Sequence, residues 1–178
     1  MTLVSVAGLL REAPGASRRV VLRDHYLSLG PEIEIAGPLD GEFHLQRTNR
    51  GLLVRGAARV PVRRTCARCL DPFVEEVQVR FLEEYLPSVD PIHGTPVPAS
   101  ADDELVQSID AHHQVDLALV IRDEIVLAEP MHPLCRADCP GLCPVCGRHL
   151  AVGNCDCAVA ESDPRLEPLA RLLETLSD

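Results

Sequence analysis

The stretch Glu42–Val60, EFHLQRTNRGLLVRGAARV, sets two runs of β-like sequence on either side of Thr48-Asn49-Arg50-Gly51. In a strand, successive side chains point to opposite faces, so a period of two marks an element with one face buried. Glu42–Thr48 has that period, and the polar quartet ending in Gly51 predicts a hairpin connection into the second run. Upstream, Arg18–Arg23 (RRVVLR) and Glu32–Ala36 (EIEIA) read as further short strands, punctuated by Gly30-Pro31 and Gly37-Pro38. Downstream, Val60–Thr65 reads as another strand segment, set off by Pro61, which has no N–H to give to a ladder. After Cys66-Ala67-Arg68-Cys69 and Asp71-Pro72, the run Phe73–Phe81 alternates again. Short strands and turns at such regular spacing predict an antiparallel sheet or a small open barrel.

Beyond this region the period changes. Residues 87–100 are rich in Pro, Gly and Ser and predict a loop. In Val115–Glu129, Val115, Leu119, Ile121, Ile125 and Val126 fall near helical spacing, which predicts an amphipathic helix ending before Pro130. Pro133, Pro140, Gly141, Pro144, Gly147 and Gly153 then interrupt any long element. Ser162-Asp163-Pro164 is expected to cap a last helix carrying Leu166, Leu169, Leu172, Leu173 and Leu176 on one face. The predicted class is α+β: an antiparallel, open-barrel-like β domain over 1–88, a loop and helix over 89–130, and a cysteine-rich, zinc-binding segment with a helix over 131–178.

Apolar residues make up 46% of the 178, but aromatics only 3%, and Trp is absent, so the core must be aliphatic. No apolar run approaches the ~20 residues of a membrane helix. The N-terminus lacks the layout of a secretory signal, so a cytoplasmic protein is expected. In a reducing compartment cysteines serve metals or catalysis rather than disulfides. Eight are present, as the pair Cys66 and Cys69 and as six between Cys135 and Cys157.

Cys143-Pro144-Val145-Cys146-Gly147 has the form of a zinc knuckle: two sulfurs three residues apart reach one ion, and the glycine permits a positive φ. Cys155 and Cys157 would complete a four-thiolate site. Cys66, Cys69, Cys135 and Cys139 then remain as a second set of four, which would pin the tail onto the β domain. Interleaved pairings are equally legal, and His132 or His149 could replace a thiolate. A redox dithiol at Cys66 and Cys69 is the competing reading, but the pair is followed by strand-like sequence rather than the helix that would lower a thiol pKa. Iron–sulfur ligation competes in the same way.

Charge is uneven. The net value is −10, yet residues 1–80 carry 12 Arg against 9 acids and residues 81–178 carry 5 against 18, with no Lys anywhere. Between Phe43 and Leu70 lie Arg47, Arg50, Arg55, Arg59, Arg63, Arg64 and Arg68, and no acid. Such a stretch either compensates the charge of thiolate sites or meets RNA phosphate or an acidic protein. Arg55, Arg59 and Arg63 share parity along a strand, which would line one exposed face. Without interleaved aromatics, base stacking is not expected. No G-x-S-x-G, H-E-x-x-H or phosphate-cradling glycine loop is present, and His112-His113, beside Asp110 and Asp116, reads as solvent-facing. No catalytic residue is predicted.

Five segments together carry a family resemblance: Thr48-Asn49-Arg50-Gly51; Cys66 through Phe73 (CARCLDPF); Cys135 through Gly147 (CRADCPGLCPVCG); Cys155-Asp156-Cys157; and Asp163-Pro164-Arg165-Leu166. The chain resembles the YceD family of large ribosomal RNA subunit accumulation proteins over nearly its whole length. One departure is Arg148–Val152, where many relatives have an Asn-Leu-Asn segment. The resemblance implies a non-enzymatic role in 23S rRNA accumulation or processing and large-subunit assembly, with 23S rRNA or a large-subunit ribosomal protein as partner and Zn²⁺ as cofactor. Some relatives lack most of the C-terminal cysteines but keep the C-x-x-C and a cysteine at the place of Cys135, which implies that Cys66, Cys69 and Cys135 share a site. The alternative function is a thiol redox or zinc-handling protein using Cys66 and Cys69.

Overall fold

The computed structural model describes residues 2–98, 106–153, 155–157, 164–166, 168, 169 and 172. The hairpin around Thr48 organises it. Strand β3, Leu39–Arg47, turns into β4, Leu52–Thr65, and the two pair antiparallel from Asp40↔Arg59 to Arg47↔Leu52. The turn is fixed by its own side chains: Thr48 Oγ1 accepts from the Gly51 N–H at 2.9 Å, and Arg47 Nη1 donates to the Gly51 and Thr48 carbonyls. A Cβ on Gly51 would lie 2.0 Å from the Tyr85 carbonyl oxygen, so only glycine fits.

Outside this pair, β2 (Ser17–His25) lies against β3, and β5 (Pro72–Pro87) pairs with all of β4. A three-residue strand, β6 (Gln107–Ile109), joins β5 in parallel. The order is β2-β3-β4-β5-β6, an open sheet; β2 and β6 are its edges, and it does not close into a barrel. The N-terminal β1 (Leu3–Ser5) pairs with β7 (Gln114–Asp116) in a second, two-stranded sheet, and a one-turn α1 (Ala7–Leu10) follows β1. None of β1, α1, β6 and β7 is expected from the sequence, because three or four residues cannot display a period.

Two expected features are corrected. Glu32–Ala36 is not a strand: it meets β4 only through the bridge Ile35↔Val62, with Ala36 N–H donating to the Pro61 carbonyl at 2.8 Å. Pro61 does not interrupt the strand, because β4 continues through it. A strand residue's N–H and C=O point to the same side. The Pro61 carbonyl faces Ala36, so the missing N–H falls where β3 has already ended and costs the β4–β5 ladder nothing.

The predicted helix forms as α2, Leu117–Leu127, with the Asp116 side chain accepting from the Ala118 N–H at its start. It buries Leu117, Ala118, Val120, Ile121 and Ile125, whereas Leu119 and Val126 are exposed, so the apolar face is rotated from the expected one. These residues join Phe43, Leu45, Val54, Val60, Phe81 and Ile109 in one core. Phe43 and Phe81 lie over Gly56, their centroids 6.0 Å apart; a Cβ there would sit 2.4 Å from the Phe81 ring. No helix among the described residues is long and apolar enough to cross a membrane.

The chain clusters into two compact units, Met1–Ala67 with Asp71–Cys135, and Arg68–Leu70 with Arg136–Asp178. In the second, the described structure is mostly turns, with a single bridge at Leu142↔His149 and a 3-10 turn at Pro164–Leu166. The rest of the helix expected after Asp163 lies largely outside the described residues; Leu166, Leu169 and Leu172 are exposed.

Candidate metal centres and an arginine-rich face

The knuckle at Cys143 takes the predicted form. Val145 N–H donates to Cys143 Sγ at 3.4 Å and Gly147 N–H to the Cys143 carbonyl at 2.9 Å, and Gly147 holds φ at 70°. The chain then returns, with Cys143 N–H on the Arg148 carbonyl at 2.8 Å and Leu150 N–H on the Gly141 carbonyl at 3.0 Å. The sulfurs of Cys143, Cys146, Cys155 and Cys157 all lie within 4.8 Å of one another. Tetrahedral bonds of ~2.3 Å to zinc would place them ~3.8 Å apart, which lies within that bound.

The electrostatics of this set favour a cation. The backbone N–H of Cys146, the Cys155 thiol and the backbone N–H of Val145 hold the Cys143 pKa down to about 6. The Cys157 thiol is pushed up to about 12, first by its hydrogen bond with Cys146 and then by burial and Cys155. Thiols this close cannot all ionise unaided, and a divalent ion removes the repulsion.

Cys66, Cys69, Cys135 and Cys139 form the other set, their sulfurs also within 4.8 Å of one another. Cys66 N–H donates to the Asp71 carbonyl at 2.9 Å, closing the C-x-x-C turn, and Ala67 N–H donates to the Pro133 carbonyl at 2.8 Å. Arg68 Nη1 donates to the Cys139 carbonyl at 2.9 Å. Gly141, at φ 77°, packs so closely on Arg68 that a Cβ would lie 3.0 Å from its carbonyl oxygen. Cys66, Cys69 and Cys139 are buried and Cys135 is exposed. The turn enters β5, not a helix, so no helix N-terminus is there to activate a thiol. Among the described residues neither His132 nor His149 joins either set.

The seven arginines have different surroundings. Arg47 is bound to the Leu10, Thr48 and Gly51 carbonyls and fastens the hairpin. Arg64 has a side chain only 5% exposed and pairs with Glu75 at 2.7 Å and Glu129 at 2.9 Å. Arg68 supports Cys139, and Arg63 pairs with Glu34 at 2.8 Å. Arg50 is exposed beside the Thr48 turn. Arg55 and Arg59 are exposed on the outward face of β4 and form no ion pair or hydrogen bond with described residues. Near them, Glu42 accepts from Arg19 at 2.5 Å and contacts His44 at 2.7 Å, and these two partners hold its carboxyl pKa below the usual range. Asp110 Oδ1 accepts from the N–H groups of His112 and Gln114; His112 is exposed and His113 half-buried.

Comparison with known proteins adds a family. Residues 54–173 match the model of "Large ribosomal RNA subunit accumulation protein YceD". Proteins of Mycobacterium bovis and Mycobacterium tuberculosis, both described as uncharacterized, are 34% identical over 144 residues, covering 79% of this chain and 64% of theirs. An uncharacterized Mycobacterium leprae protein is 31% identical over 120 residues, covering 67% of this chain and 52% of its own. The chain thus spans less than two thirds of the length of these relatives. No solved structure matches.

Proposed function

The chain belongs to the YceD family of large ribosomal RNA subunit accumulation proteins, and from that premise we propose that it is a non-enzymatic, zinc-stabilised factor supporting 23S rRNA accumulation and large-subunit assembly in the cytoplasm. The observation that carries the reading is the family match. It is joined by two sets of four cysteines with the donor chemistry of structural zinc sites, Cys66, Cys69, Cys135, Cys139 and Cys143, Cys146, Cys155, Cys157. In this reading each zinc fixes turns too short and too polar to fold by burial. Arg55 and Arg59 are the arginines of the stretch best placed to meet 23S rRNA or a large-subunit protein, being exposed and without intramolecular partners among the described residues. Depleting the protein from its host and measuring 23S against 16S rRNA tests the role: a selective fall in 23S and in large subunits is expected. Unchanged ratios would overturn it.

A thiol redox role for Cys66 and Cys69 is the second reading. Four sulfurs gathered at that turn, with three of the cysteines buried, favour metal over exchange with a partner thiol.

A further inference from the structure

The outward face of the sheet has an arrangement beyond the arginine-rich stretch of β4. In the β4–β5 ladder Ala57 stands opposite Arg80, Arg55 opposite Leu82 and Arg59 opposite Gln78. Arg80 therefore lies diagonally between Arg55 and Arg59, with Cα separations of about 7–8 Å to each. Arg55 and Arg59 themselves are about 13–14 Å apart along the strand. All three are exposed, and none has an ion pair or hydrogen bond among the described residues. Ala57 lies among them on the face, and its short side chain leaves room there. Two adjoining hollows of about 550 Å³ and 480 Å³ meet there, sharing Glu42, Ala57 and Arg80. Arg23, also exposed and unpaired among the described residues, borders the second hollow from β2, across β3 and Asp40 from Arg59.

No acid among the described residues pairs with this row, although Glu76 and Glu84 of β5, opposite Pro61 and Leu53, flank it diagonally from Arg59 and Arg55. Glu42 is engaged by Arg19 and His44. Asp40, opposite Arg59 in the β3–β4 register, accepts from the Asp24 N–H at 3.0 Å and forms no ion pair with Arg59. Arginines set by strand register around a small residue, at backbone intervals comparable to successive phosphates along one strand, suit a polyanion of regular charge. Of the rings that border these hollows, Phe81 is buried in the core and His44 is held by Glu42, so neither is offered for base stacking, and Arg is the residue best suited to grip phosphate oxygens.

We propose that the zigzag Arg55–Arg80–Arg59 across Ala57, extended by Arg23, is a docking track for the phosphodiester backbone of an RNA strand, bound without base readout. This deepens the proposed role in rRNA accumulation and rests on it. Arg63, paired with Glu34, lies outside the track.

The test uses the full chain, a fluorescein-labelled single-stranded oligoribonucleotide of mixed sequence, and polyglutamate as an acidic polypeptide of unrelated backbone. Wild-type protein is expected to bind the oligonucleotide with affinity that falls as salt rises. Neutralising three phosphate contacts in Arg55→Gln/Arg59→Gln/Arg80→Gln should lower affinity at least ~tenfold and flatten the log K against log salt slope by about 2. Arg63→Gln should change neither. Circular dichroism and a thermal melt confirm that the triple variant folds; if it does not, Arg80→Gln alone should flatten the slope by about 0.7. Wild-type binding by the triple variant, or equal loss from Arg63→Gln, overturns the track. Binding to polyglutamate but not RNA overturns it in favour of an acidic protein partner, and binding to neither overturns it outright. Sedimentation of the tagged chain with large-subunit precursors is read separately. Co-sedimentation without oligonucleotide binding sinks the track and leaves the ribosomal role standing; a triple variant that loses both, with wild type positive, supports both.

Discussion

The two compact units of this chain are held by different means. In the first, 24 buried apolar side chains from the sheet, α1, α2 and their connections form one cluster. In the second, the buried apolar residues among those described are cysteines alone, Cys69, Cys139 and Cys143. A sheet with that core stabilises itself by removing apolar area from water. Turns from Arg136 to Cys157 have no such area to remove, so their shape depends on whatever ties the sulfurs together. Metal removal and core truncation should therefore separate the units.

The largest effect expected is from chelation. Structural zinc contributes on the order of 10–16 kcal/mol to small sites, so a strong chelator should unfold residues 136–157 while β2 to β5 keep their amide protection in hydrogen exchange. Equal loss of protection in both regions would erase the contrast. The reciprocal change is Phe43→Ala. It removes a fully buried ring from over Gly56 and should cost about 3–5 kcal/mol in denaturant unfolding of the sheet. The metal-to-protein ratio of the still-folded fraction should not move.

Arg64→Met asks for less. The substitution removes a buried guanidinium but leaves Glu75 and Glu129, whose side chains are 41% and 57% exposed, open to rehydration. The cost should be about 1–2 kcal/mol, below that of stranding a fully buried charge; a loss equal to that of Phe43→Ala would contradict the placement. The smallest effect concerns Glu42. Its carboxyl pKa is lowered by the Arg19 hydrogen bond and then by His44. Its contribution is therefore present above the unfolded carboxylate range and is lost as pH falls through the folded value. Glu42→Gln should melt with a slightly flatter dependence on pH on the acid side, and an unchanged profile would show that the pair is fully screened.

How legible each unit was follows from what holds it. The β3–β4 hairpin and the alternation of Phe73–Phe81 could be read directly, because burial on one face writes a period of two. That same parity, continued to Arg80, places it outward, but its position between Arg55 and Arg59 depends on the β4–β5 register, and the run without acids ends before it. Glu32–Ala36 alternates as well as any strand here, yet only Ile35 finds a partner, and that depends on where β3 ends. Pro61 looked like a break because the sequence does not reveal which side of β4 its missing N–H would face. The cysteines are a different case: spacing picks out the knuckle and leaves Cys66, Cys69, Cys135 and Cys139 as a second set, but spacing alone leaves interleaved sets open, and the positions of the sulfurs choose between them. Arg64 lay outside any reading of spacing, since its partners Glu75 and Glu129 come from β5 and from just beyond α2.

The most direct measurement is the metal and thiol content of the full chain purified anaerobically. Two zinc ions per chain, with none of the eight cysteines reacting with a thiol reagent until the protein is denatured or chelated, is the result expected of two four-thiolate sites. One zinc or none, with Cys66 and Cys69 reacting in the native protein, would contradict it and return that pair to redox chemistry.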